Sequence, residues 1–137
     1  MRLIDDVEKI IANYELKPIE IPTGFKNLYE YEEQNPQDVT YYYAIEKNDN
    51  YFIEKYVDYV PNGWYGFSIG VPIIPVWMDI IDEVLELCVK NDPEFQIHQI
   101  KLKFGGIRFY THSNIIEDIT DIGLLIEYKL HDNALIY

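Results

Sequence analysis

Residues 95–112 hold the sharpest alternation of apolar and polar positions in the chain. Ile100, Leu102, Phe104, Ile107 and Phe109 alternate with Lys101, Lys103, Arg108 and Tyr110 around the pair Gly105-Gly106. Successive side chains of a strand point to opposite faces, so this period of two makes one face apolar and the other cationic. A Gly-Gly pair between alternating runs supplies the positive φ angles of a two-residue hairpin turn. Counting outward from that pair predicts Phe104 opposite Ile107, Leu102 opposite Phe109 and Ile100 opposite Thr111. Lys103 then faces Arg108, and Lys101 faces Tyr110. The same count puts His98 opposite Ser113 on the core side and His112 opposite Gln99 on the polar side.

Elsewhere the period is helical. Leu3, Ile4, Val7, Ile10, Ile11 and Tyr14 predict an amphipathic N-terminal helix. Asp5, Asp6 and Glu8 suit its first turns electrostatically, and Lys17-Pro18 ends it. Phe25, Leu28 and Tyr29 suggest a second short helix within 25–34. Residues 39–45, with Tyr41-Tyr42-Tyr43, read as a strand, and 47–50 as a turn. Over 51–60, Phe52, Tyr56 and Val60 fit a helix while the β-formers fit a strand. A helix is preferred because it leaves Glu54, Lys55 and Asp58 outside. Residues 64–70 form a short apolar strand or loop.

Pro75 then opens a helix. Trp77, Ile80, Ile81, Val84, Leu85 and Cys88 make its apolar stripe, with Asp79, Asp82, Glu83 and Glu86 as a solvated face. Asn91-Asp92-Pro93 stops it. Asn114 and Glu117 have the spacing of a capping box, ahead of a stripe of Ile115, Ile119, Ile122, Ile126 and Leu130. The expected architecture is one α+β domain over 1–137. An antiparallel sheet with a central β-hairpin (about 95–112) packs against helices at about 75–90 and 114–131, with the N-terminal helix added.

Charge changes the picture more than size does. Twenty-four acidic residues against eleven basic ones give a net charge of −13 in 137 residues. That balance repels nucleic acid and anionic membranes and attracts a basic protein. No run approaches the ~20 apolar residues of a membrane helix. One cysteine, Cys88, allows no internal disulfide and fits a reducing, cytoplasmic setting. It lies on an apolar stripe, as a buried hydrophobe rather than a nucleophile.

Catalytic signatures are thin. With His98 and His112 placed on opposite faces, neither a shared metal nor an acid–base pair is expected. No phosphate loop, nucleophile elbow or dinucleotide fingerprint occurs. The expectation is therefore a protein that is not an enzyme, with no cofactor and no metal site.

Two features remain. The first is the trio Lys101, Lys103 and Arg108, in a stretch with no acidic residue between Phe95 and Ile116. It could contact an anion or a partner carboxylate, or pair internally. The second is the middle of the chain, where nine of the thirteen tyrosines lie between Tyr29 and Tyr65 among many carboxylates. Tyrosine gives rigid amphipathic area at low entropic cost and is enriched in interface hot spots. Tyr41, Tyr43, Glu46, Asp49, Glu54, Asp58 and Tyr59 are the candidate partner-binding residues.

The second half also resembles a group of small bacterial and phage proteins of uncharacterised function. Their pattern is a tryptophan-containing stretch, a short acidic helix, and a Lys-x-Lys-Phe-Gly-Gly-Leu-Arg-Phe-Tyr hairpin. Gly63-Trp64, Trp77, Ile81-Asp82-Glu83-Val84 and residues 101–110 carry the likeness here, with Leu102 and Ile107 as variants. The resemblance implies a bacterial or mobile-element context without assigning an activity. Members commonly continue into a cysteine-rich, zinc-ribbon-like tail, and no such cysteines follow this hairpin.

The expected function is non-enzymatic binding that neutralises a basic protein, as an immunity protein blocks a nuclease-type toxin. The alternatives are a phage-encoded anti-defence inhibitor acting as a nucleic-acid mimic, and a small anion- or nucleotide-binding module built on Lys101, Lys103 and Arg108.

Overall fold

The computed structural model describes residues 2–14, 47, 49–61, 67–68, 75–103 and 106–131. The elements predicted at 25–34 and 39–45 lie outside the described residues. Four helices and three strands are described: α1 (Leu3–Ala12), α2 (Asp49–Tyr56), β1 (Phe67–Ser68), α3 (Pro75–Asn91), β2 (Gln96–Lys103), β3 (Gly106–His112) and α4 (Ile119–His131). A 3₁₀ turn, Val57–Tyr59, follows α2. The fold is the expected single α+β arrangement of helices around a hairpin.

β2 and β3 pair antiparallel, and β1 adds to the other side of β2 in parallel, giving the order β1-β2-β3. The hairpin register differs by two residues from the count made on Gly105-Gly106. Lys103 pairs with Gly106, Leu102 with Ile107, Lys101 with Arg108 and Ile100 with Phe109. Gly106 is thus a strand residue. A shift of two leaves every side chain on its expected face, because the pleat also repeats every two residues. Ile100, Ile107 and Phe109 are accordingly buried, while Tyr110 is 46 % exposed.

A β-bulge between Ile97 and Gln99 breaks the register a second time. Ile97 and Ile100 are both fully buried although they stand three apart, which a regular strand cannot achieve. The extra residue resolves this conflict and turns His98 outward. His98 is therefore exposed, not on the core side opposite Ser113.

α4 covers the apolar face of the hairpin through Ile122, Ile126 and Leu130. It comes close enough that a Cβ on Gly123 would lie 3.0 Å from the Phe109 carbonyl oxygen. Glu127 on the same helix accepts the Phe109 N–H at 2.9 Å, occupying a main-chain donor on the edge of β3 that faces away from β2. The stripe on α3 is buried as expected, with Met78 added. α1 packs on α3 and α4 through Val7 and Ile11.

The last helix starts later than the capping-box spacing predicts. Residues 114–118 form turns, and Ile115 is exposed instead of joining the stripe. The local stop is Ser113, whose Oγ accepts the N–H groups of Ile115 (3.2 Å) and Ile116 (2.9 Å) and donates to buried Asp92 (2.6 Å). A side chain satisfied this way holds the backbone in a turn rather than a helix. Asp118, beside the start of α4, accepts the Ile4 N–H at 2.7 Å and so caps α1 from across the domain.

Gly123→Ala tests how tightly α4 seats on β3. Helix propensity alone would favour alanine by about 1 kcal/mol. The contact with an immobile backbone carbonyl reverses that sign, and the variant is expected to be destabilised by roughly 1 kcal/mol in urea unfolding.

Candidate partner-binding face

Acidic and aromatic side chains meet where α2 lies over α3. The α3 carboxylates Asp79, Asp82, Glu83 and Glu86 stand three, four and seven residues apart, on neighbouring turns of one flank. They do not form one solvated face. Asp82 is only 4 % exposed. A buried carboxylate needs hydrogen-bond donors, and α2 with Lys47, two residues ahead of it, provides them. Tyr56 donates to Asp82 Oδ1 at 2.5 Å and Tyr51 to Oδ2 at 2.7 Å. Lys55 reaches Oδ1 at 2.9 Å and Lys47 reaches Oδ2 at 3.3 Å.

The same two ammonium groups extend outward, Lys47 to Asp79 at 3.0 Å and Lys55 to Glu86. Tyr14, just beyond α1, donates to Glu83. The rings above this network are core. Phe52 stacks on Phe67 with centroids 5.1 Å apart, and Tyr56 leans on both.

Proton affinities follow the geometry. Burial alone would raise the Asp82 carboxyl, but the hydrogen bonds from Tyr56, Tyr51 and Lys55 outweigh it and hold the group below the ordinary aspartate value. Burial first, then Asp82, pushes the Tyr56 phenol far up. The hydrogen bond to Glu83 raises Tyr14 to about 12. Cys88 is also raised to about 12, by burial and by the carboxylates of Asp118 and Asp92, so it is no thiolate nucleophile.

The expected binding residues now separate. Tyr41, Tyr43 and Glu46 lie outside the described residues. Asp49 is half-buried in the first turn of α2, and Tyr59 is half-buried in the 3₁₀ turn. Glu54 and Asp58 are exposed, and neither forms an ion pair among the described residues. Val57 beside them is 52 % exposed. Their neighbours Tyr51, Lys55 and Tyr56 are committed inward to Asp82.

On the outer face of the sheet, Lys101 and Arg108 sit opposite each other, without an ion pair to any described carboxylate. The side chain of Lys103 lies outside the described residues. His98 and His112 occupy this same face, with ring centroids 6.1 Å apart, which corrects their assignment to opposite faces. The bulge is the reason.

A separate groove of about 430 Å³ lies where α1 meets the turns before α4, lined by Arg2, Leu3, Asp6, Ile115, Glu117 and Asp118 among others. Among the described residues no helix is long and apolar enough to cross a membrane. Comparison with protein-family models, curated proteins and solved structures finds no match to this chain.

Tyr56→Phe removes a donor from a buried charge and should cost about 2 kcal/mol in chemical denaturation. The pH dependence has a defined sign on both limbs. The lowered Asp82 contributes stability above the ordinary value of 3.8, lost as pH falls through its depressed value. The raised Tyr14 and Tyr56 contribute stability below the ordinary value of 10.0, lost as pH rises toward their raised values. Spectroscopic titration should therefore find Tyr14 ionising near pH 12, and Asp82→Asn should flatten the acid limb.

Proposed function

We propose that this protein binds and neutralises a basic protein, in the manner of an immunity protein that blocks a nuclease-type toxin. The observation that carries the reading is the charge arrangement over α2 and α3. The two lysines of that face are drawn onto Asp82, Asp79 and Glu86. Glu54 and Asp58 are left projecting beside exposed Val57, with no cation among the described residues to offset them.

Such a rim steers a cationic partner and excludes nucleic acid, in keeping with the net charge of −13. Tyr59, half-buried in the adjoining 3₁₀ turn against Tyr56, adds an aromatic group beside the rim. The rigid scaffold beneath keeps these groups in place, because α2 is held to α3 by the Asp82 network. The setting is bacterial, on the resemblance of residues 101–110 to the bacterial and phage hairpin, and cytoplasmic, on the single cysteine Cys88.

A second reading rests on Lys101 and Arg108. Their juxtaposition, without a described carboxylate partner, suits a module that binds a small anion or nucleotide through the outer sheet face. A thermal-shift screen of anionic metabolites separates the two readings, since only this one expects stabilisation.

Affinity capture from the source cell should recover a basic protein whose association rate falls steeply with added salt. Combining Glu54→Gln with Asp58→Asn should slow association several-fold and change dissociation much less. Recovery of no basic partner, or a rate indifferent to salt, would sink the proposal.

A further inference from the structure

We infer that His98 and His112 form a two-imidazole site for a late first-row divalent cation such as zinc, nickel or copper. Three observations meet there. The first is the bulge at Ile97/Gln99, which spends one residue of β2 to bring His98 onto the face that carries His112. Bulges commonly re-aim a side chain in this way next to functional groups.

The second is distance. Two imidazoles on one ion, each bound at about 2.0–2.1 Å, have ring centres no more than about 6.4 Å apart. The rings stand 6.1 Å apart and are inclined at 69°, and both are exposed. They are therefore within reach of a shared ion without movement of the backbone, and a rotamer change tightens the angle.

The third is orientation. His112 Nε2 lies 3.0 Å from Asn114 Oδ1. An amide oxygen only accepts, so Nε2 carries the proton and the neutral ring presents its lone pair at Nδ1. A hydrogen bond on the far nitrogen is the usual device that fixes the tautomer of a metal-binding histidine.

The donor set selects the ion. Imidazole suits zinc, copper and nickel, whereas calcium and magnesium demand oxygen donors. With two protein donors the remaining positions take water. Lys101 and Arg108, on the same face, repel a cation and weaken its binding. Cys88 is buried and does not compete.

Zinc chloride titrated into the full chain, followed by calorimetry and by the imidazole NMR signals, tests the inference. One equivalent should bind, shifting the His98 and His112 rings together. His98→Ala and His112→Ala should each weaken binding at least about tenfold, while His131→Ala should leave it unchanged. Asn114→Ala should weaken it a few-fold through loss of ring orientation. The absence of saturable binding up to about 1 mM zinc, or binding that survives loss of either His98 or His112, would overturn it. The ring signals of the unaltered protein decide the matter even if a variant proves unstable.

Discussion

A single carboxylate governs how the helices come together. Asp82 is buried, and a buried charge is tolerated only when its oxygens are fully engaged. Both phenols and both ammonium groups that engage it come from residues 47–56. The apolar side of α2 is short, resting on Phe52 and Tyr56. The polar bonds to Asp82 supply what so few apolar positions cannot: one fixed placement of α2 on α3. Tyrosine suits this task because its ring enters the core while its hydroxyl reaches the charge. Tyr51 and Tyr56 of the acidic middle segment are thus structural before they are anything else.

The parts of the fold that repeat locally were readable in the chain. The α3 stripe, the two faces of the hairpin and a helix within 51–60 follow from spacing between near neighbours, although that helix opens at Asp49, inside the expected turn, and gives way to a 3₁₀ turn after Tyr56. Even a wrong turn position cost the hairpin nothing, because an error of two residues preserves the sidedness of a strand. The bulge was missed, although Ile97 and Ile100 carried its signal: two strongly apolar residues three apart cannot both face the core of a regular strand. Asp82 left a fainter trace. It continues the row Met78–Asp82–Leu85, whose other two members are buried, and so belongs to the flank of the stripe.

What the sequence could not disclose are partnerships between distant segments. The donors to Asp82 lie 26 to 35 positions away, and the carboxylate that caps α1 lies 114 positions from the N–H it accepts. Nothing in the composition of either segment points to the other. The same holds for the apparent capping box at Asn114 and Glu117, where Ser113 and Asp92 form an alternative that only tertiary contact makes available. For the candidate binding face, spacing singled out Glu54 and Asp58 as exposed. It could not tell that Tyr51, three residues before Glu54, and Tyr56, two residues before Asp58, would turn inward.

The bond from Asp118 to the start of α1 bears on how the protein is made. A leading N–H group of α1, that of Ile4, is completed by a residue 114 positions downstream, and α1 packs on α4, the last helix described. Until those later residues emerge, α1 has neither its remote cap nor half of its packing surface, and a ten-residue helix is marginal alone. Secure formation of α1 therefore waits on the segment that carries Asp118 and α4. Without that segment the apolar stripe of α1, with Val7 and Ile11 at its centre, has only α3 to rest on.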